Sequence, residues 1–219
     1  MFQNSISQEK YVIAPIPFGS LGYWTFLNKE NVQLYTGFNF EKSSLMNRFW
    51  LNDNHKKPFL ISIPIIGGRN IKEKLHTIQI FYENPWKEEM IKSIKTIYSN
   101  APYFDYFGED ILNFIENFSE KNLVSFSIQS LNLIQKLVPD LNKIKETNEL
   151  KDHKNIFIKQ WSKQDFNYLP YYKCPSNWDA NQILQLSILD ILFNDAPHIY
   201  SFIEHASVAN KLKHRSRYY

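Results

Sequence analysis

The sequence predicts an α/β fold with one mixed sheet, which combines an N-terminal βα crossover with an antiparallel hairpin. Helices from the middle and C-terminal parts are expected to pack on this sheet. A short apolar run at residues 11–16 ends in proline and glycine before a helix-like segment. Apolar residues with period two precede Gly67-Gly68, and apolar stripes of helical period fill the middle of the chain. This order of elements is typical of α/β proteins.

In the first part of the chain, most elements are expected to be strands. Tyr11 to Ile16 forms the first strand, and a helix begins near Ser20. Because Phe59, Ile61 and Ile63 alternate with other residues, the strand at 58–66 is the clearest, and it pairs with the preceding one as a hairpin. The further strands are predicted at 32–40, 47–51 and 77–82.

The middle and end of the chain are expected to be mainly helical. Asn84 followed by Pro85 predicts the N-cap and the first-turn proline of a helix, whose apolar stripe includes Met90, Ile94 and Tyr98. Two more apolar stripes of helical period run through 111–118 and 123–137. Residues 140–155 are interpreted as a solvated connection or a frayed helix that leads to a short strand at 156–158. An ordered loop follows at 165–185, and Ser187 caps a last helix, with Asp190 at the acidic position of a capping box.

Length and composition predict a folded chain in a reducing compartment. With 219 residues, 43% of them hydrophobic, a single domain over 1–219 is expected, ending in a frayed basic tail at 208–219. The alternative for the tail is contact with phosphate groups or an anionic membrane. The formal charge of +3 does not indicate a nucleic-acid partner. The only cysteine, Cys174, excludes an intramolecular disulfide and is interpreted as an inert thiol.

The sequence also predicts where the protein is found. The N-terminal residues lack the pattern of a signal peptide, and no window is apolar over the about 20 residues that a membrane span requires. We therefore expect a soluble cytoplasmic protein without a transmembrane segment. His55, His76, His153, His198 and His205 are scattered without i, i+4 pairing or nearby carboxylates, so neither a metal nor another cofactor is indicated.

Three separated stretches resemble the WbqC-like family in order and spacing. In residues 40–51, Lys42 precedes the pair Asn47-Arg48, which opens an apolar strand. The second stretch starts with the proline-bearing strand at 60–68 and continues through Pro85-Trp86 to a Pro-Tyr-Phe turn at 102–104, and the third stretch is 186–194. Many relatives carry His-Gln where this chain has Ile13 and Ala14, and often arginine where it has Met46 and Trp50.

The resemblance implies a role in the biosynthesis of surface polysaccharides such as the O-antigen of lipopolysaccharide. It implies the transfer of an acyl or aminoacyl (glycyl) group to a nucleotide-linked amino sugar, so the expected partners are that sugar and a group donor. A non-catalytic binding module or accessory subunit of a glycan-assembly enzyme is the alternative, which the absent His-Gln favours. A third hypothesis, a nucleotidylyltransferase, rests on the strand, Pro-rich loop and helix at the N-terminus, a layout that such enzymes use. The histidines that they need are missing here.

Two segments supply the candidate ligand-binding residues. The guanidinium of Arg48 suits bidentate binding of phosphate, and Lys42 adds a second positive charge beside Asn47. A structural interpretation is equally open, in which Asn47 holds the turn and Arg48 pairs with an internal carboxylate. Tyr103 and Asp105 combine an aromatic surface with a carboxylate able to bind a sugar, although core packing also explains Tyr103.

The last predicted helix supplies the candidate catalytic residue. Asp190 lies between Leu189 and Ile191, an apolar setting that would make its carboxylate a stronger general base toward an amine or hydroxyl. The capping box offers a structural explanation of the same carboxylate. Asn194, near the other end of that helix, is a further candidate ligand, or simply a C-terminal helix residue.

Overall fold

A four-stranded parallel sheet organises the N-terminal part of the fold. The structure, a computed structural model, describes residues 9–42, 44–53, 58–67, 72–150, 153–156 and 184–210. The strand order is β5-β2-β1-β6, and every neighbouring pair is parallel. These strands are β1 (Lys10–Ile13), β2 (Val32–Tyr35), β5 (Glu146–Thr147) and β6 (His153–Ile156). Ile13 lies opposite Leu34 on one side and Ile156 on the other.

The crossover from β1 to β2 runs through a helix whose residues are all buried. This helix, α1 (Leu21–Leu27), begins where the Ser20 hydroxyl accepts a hydrogen bond from the Tyr23 backbone N–H. It packs against the C-terminal helix α6 (Ile199–Asn210). A helix that is apolar on every side is covered by other elements, which explains why the sequence shows no polar face here.

The predicted hairpin forms a second, two-stranded sheet. In it β3 (Arg48–Leu51) pairs antiparallel with β4 (Phe59–Ser62), with Phe49 opposite Ile61. Phe49 and Leu51 are buried, while Arg48 and Trp50, which alternate with them, are half-buried, as period-two alternation predicts. The α/β class, the parallel crossover and the antiparallel hairpin are therefore confirmed, with the two kinds of pairing in separate hydrogen-bonded sheets.

Four further helices cover the core. The second helix packs on the third, and the third packs on both the fourth and the fifth. The ring of Phe18, from the β1–α1 loop, makes edge contacts with those of Phe49, Phe114 and Phe126. These four helices are α2 (Trp86–Tyr98), α3 (Phe104–Asn117), α4 (Leu123–Leu137) and α5 (Ile188–Asp195). The helical interpretation of the middle of the chain is thus confirmed.

Three local predictions are wrong. Residues 77–82 form no strand, because Thr77 ends a short 3-10 turn and Gln79 and Ile80 make single bridges to different segments. The segment 140–155, predicted as a solvated connection or a frayed helix, contains β5 and the start of β6. These short polar strands form only by pairing with distant residues, so the local sequence does not indicate them. Asn84 does not cap α2, because the helix begins one residue later and its N-terminus has no side-chain cap.

Several predictions lie outside the described residues. These are the strand beyond Ile156, the ordered loop up to residue 183, Cys174, and the basic tail beyond Asn210. The start of the predicted tail, 208–210, belongs to α6. Among the residues that are described, no helix has both the length and the apolar character of a membrane span.

Candidate functional site

Three elements converge where α5 begins. Ser20 and Ser187, which cap α1 and α5, form an isolated antiparallel bridge, so the two helices start side by side. The backbone N–H of Ser187 donates a 2.8 Å hydrogen bond to the Trp50 carbonyl oxygen, which brings the end of β3 to the same point. Asp190 and the strand that carries Arg48 therefore belong to one region of the molecule.

A chain of buried hydrogen bonds lies at this junction. The backbone N–H of Asn52 donates to the Tyr98 hydroxyl at 3.0 Å, and that hydroxyl donates to Asp190 Oδ1 at 2.8 Å. Burial, followed by the nearby charge of Asp190, raises the pKa of Tyr98 well above its ordinary value of 10.0. Tyr98 therefore remains a neutral hydrogen-bond donor to the carboxylate at physiological pH.

The environment of Asp190 differs from the predicted capping box. Ser187 is the N-cap as predicted, because its hydroxyl accepts from the Leu189 N–H at 3.3 Å. The Ser187 N–H, which a capping box directs to the acidic side chain, instead donates to Trp50. Asp190 is fully buried and occupies the first turn of α5, where the helix dipole favours a negative charge.

Tyr98 and Asn52 are members of the junction that the sequence reasoning missed. In the sequence, Tyr98 continues the apolar stripe of Met90 and Ile94, and Asn52 opens a polar run at 52–55 that is typical of a turn. The available signal was the hydroxyl itself, because a tyrosine on the buried face of a helix requires a hydrogen-bond partner that phenylalanine does not. The sequence gives no indication of which distant residue that partner is.

Asn47 and Arg48 open the hairpin. The Asn47 side-chain amide donates to the Ile63 carbonyl oxygen at 2.8 Å, and the Asn47 backbone carbonyl oxygen accepts from the Ile63 N–H, so Asn47 ties β3 to the segment after β4. Arg48 is half-buried, and its Nε atom is buried without a hydrogen-bond partner. Among the described residues no carboxylate forms an ion pair with Arg48.

Lys42 is exposed and lies in the turn that leads to β3. In this turn the N–H and the hydroxyl of Ser44 both donate to the Glu41 carbonyl oxygen. The Arg48 N–H donates to the Leu45 carbonyl oxygen at 3.3 Å. Lys42 and Arg48 thus flank one short connection.

The remaining candidates lie around the second half of α5. The Tyr103 N–H donates to the Phe193 carbonyl oxygen at 2.9 Å. The Asn194 side-chain amide donates to the Asp190 backbone carbonyl oxygen, also at 2.9 Å. Tyr103 is half-buried, whereas Asp105 is exposed on the first turn of α3. Tyr103, Asp190 and Asn194 are therefore brought to one helix.

One histidine has a carboxylate neighbour. His198 Nδ1 lies 2.6 Å from Asp195 Oδ1, in an i, i+3 relation. In the part of the chain that is described, no three His, Cys, Asp or Glu side chains form a group able to hold a metal ion.

Comparison with known proteins gives one result. The sequence profile of the WbqC-like protein family matches residues 16–165, which is more than half of the 219 residues. The match includes the Lys42 to Leu51 and Pro85-Trp86 stretches, whereas the stretch at 186–194 lies beyond it. Neither curated proteins nor solved structures provide a match. The chain belongs to the WbqC-like protein family.

Proposed function

We propose that this chain acts in the cytoplasm in the biosynthesis of a surface polysaccharide such as an O-antigen, where it binds a nucleotide-linked amino sugar. The observation that carries the proposal is the state of Arg48, whose Nε atom is buried and has no hydrogen-bond partner among the described residues. A guanidinium group without a carboxylate partner in that part of the chain is suited to an external anion, and its planar fork matches a diphosphate.

The other candidate residues have roles that follow from their positions. Lys42, exposed at the start of the same connection, adds a positive charge for the phosphates. Asn47 keeps the hairpin in register and so positions Arg48. Tyr103 and Asp105 contact the sugar, and Asn194 supports the helix that carries Asp190.

The second candidate function is transfer of an acyl or aminoacyl group, including glycyl, to the amine of that sugar. In this reaction the amine nitrogen attacks the donor carbonyl, the bond to the donor's leaving group breaks, and Asp190 takes the proton of the amine. The bond from Tyr98 orients the Asp190 carboxylate for this role.

The full burial of Asp190 favours the non-catalytic alternative, in which the chain is a binding module or accessory subunit. A carboxylate that solvent does not reach accepts a substrate proton only after the surrounding side chains move. The two functions share the sugar nucleotide and differ in whether product forms.

A thermal-shift measurement with UDP-glucosamine tests the binding proposal. A ligand at about 100 times its dissociation constant adds about 2.7 kcal/mol of stability. We expect Arg48→Ala to lose this stabilisation and Arg48→Lys to retain part of it. Lys92→Ala, which removes a positive charge from the exposed face of α2, is the matched control and retains all of it. Unchanged binding by Arg48→Ala contradicts the proposal.

Product analysis separates transfer from binding alone. The protein is incubated with UDP-glucosamine and an acyl thioester or aminoacyl donor, and the N-acylated sugar nucleotide is sought by mass spectrometry. Binding without product supports the accessory role. Product formation that survives Asp190→Asn removes Asp190 as the base, since asparagine retains the shape of the side chain but cannot accept the proton.

A further inference from the structure

Buried polar atoms without partners are concentrated at β3. Among the described residues, Asn47 Oδ1, Arg48 Nε and both amide atoms of Asn52 have no hydrogen-bond partner. Elsewhere such atoms are scattered, as on Trp86 and Asp195. Because buried polar groups in native proteins are nearly always paired, three such residues in and directly beside one strand require an explanation.

Asn52 is the strongest exception in this cluster. Its side chain has both a donor and an acceptor unpaired, although the residue is only 1% exposed. Its backbone is held in place, because its N–H donates to Tyr98, which in turn donates to Asp190. A leucine of similar volume would avoid the cost of two unpaired groups, so an amide that has no partner among the described residues is suited to a ligand.

The position of Asn52 relates it to Arg48. Arg48 and Trp50 are half-buried on one face of β3, and Phe49 and Leu51 are buried on the other. Asn52 is the first residue after the strand and follows Arg48 and Trp50 at the same spacing of two, although it is itself buried. At about 3.3 Å per residue, Arg48 and Asn52 lie about 13 Å apart along the strand. This separation is comparable to the length of an extended diphosphate and its attached sugar.

We propose that Asn52 is a sugar-selecting residue of the site that Arg48 begins. With the diphosphate on Arg48, the sugar lies toward the end of β3. Because Asn52 is buried, the side chains that cover it move when the sugar binds, and its amide then donates to a hydroxyl oxygen and accepts from a hydroxyl or amine. A carboxamide suits a sugar because it offers donors and an acceptor side by side. The inference rests on the proposed function and adds the contact that distinguishes a sugar nucleotide from a free nucleotide.

The test compares UDP-glucosamine with UDP, which lacks the second sugar, by isothermal titration calorimetry. For Asn52→Leu we expect the affinity for UDP-glucosamine to fall by about tenfold or more, while the affinity for UDP stays unchanged. The thermal midpoint without ligand should rise, because two unpaired groups are removed. Asn113→Leu, on the exposed face of α3, is the matched control and should leave both affinities unchanged.

The outcomes separate this inference from the proposed function. If UDP binding depends on Arg48 but Asn52→Leu binds UDP-glucosamine like the parent protein, Asn52 has no selecting role and the proposed function stands. An equal loss for both ligands also overturns the inference, because it indicates a general disturbance. If neither ligand binds the parent protein, both proposals fail. Should the leucine variant not fold, Asn52→Ala is measured against the same expectations.

Discussion

The Tyr98 hydroxyl donates a 2.8 Å hydrogen bond to Asp190 Oδ1, although the two residues are 92 positions apart. This bond joins the last turn of α2 to the first turn of α5, and both residues are buried. The same hydroxyl accepts from the Asn52 N–H, so one oxygen atom satisfies two buried groups. One side-chain oxygen atom thus links α2 both to α5 and to the end of β3.

Removing that oxygen atom should destabilise the fold. We expect Tyr98→Phe to lower the free energy of unfolding by about 2 kcal/mol, because the carboxylate and the Asn52 N–H lose a partner in a buried setting. Tyr106→Phe, at a residue that is 75% exposed, is the control and should change it by less than about 0.5 kcal/mol. Urea unfolding measures both. Equal stability of the two variants would show that water replaces the hydroxyl.

Alkaline pH should also destabilise the fold through its buried tyrosines. Burial raises the pKa of Tyr23 and of Tyr98 well above 10.0, while in the unfolded chain both titrate near that value. Above pH 10 the unfolded state therefore binds fewer protons than the folded state, and stability falls as the pH rises. We expect urea midpoints to decrease through this range, with a shallower decrease in Tyr23→Phe. A profile that is flat in the parent protein contradicts this expectation.

Gly19 should tolerate no side chain. Its φ of +71° favours glycine, and a Cβ atom would lie 2.5 Å from Trp24 Nε1, which donates to the Phe18 carbonyl oxygen. We expect Gly19→Ala to cost about 3 kcal/mol, from the left-handed backbone and the displaced indole together. Gly67→Ala, at an exposed residue with φ of +89°, tests the backbone cost alone and should cost about 1 kcal/mol. Chemical denaturation compares the two.

Ser130 should be needed to hold the β1–α1 loop. Its hydroxyl accepts from the N–H of Phe18, a non-glycine residue with φ of +56°. We expect Ser130→Ala to cost about 2 kcal/mol, since the Phe18 N–H becomes a buried donor without a partner. In Ser127→Ala, on the same helix, only a bond to the preceding turn is lost, so its cost should be below about 1 kcal/mol. Similar losses in both would assign the effect to α4 rather than to the loop.

The local sequence pattern predicted those elements whose hydrogen bonds are made between near neighbours. Periodicity was sufficient to predict the helices α3 and α4 and the hairpin strands around Phe49 and Ile61, because the period records which face of each element is buried. Ser187 was also recognised as a cap, since its bond is to the N–H of Leu189, two residues on. For the candidate site, the resemblance to the family supplied Lys42, Asn47 and Arg48.

Tertiary structure decided the pairings between distant residues. The strands β5 and β6 are short and polar, and they exist because β2 and β1 offer them partners more than 100 residues away. The partner of Asp190 is likewise Tyr98 rather than the nearby Ser187 N–H. The sequence by itself determined the fold class and its main helices through local periodicity. Only the packing determined which buried polar groups meet, because such a bond requires two distant segments to be placed together first.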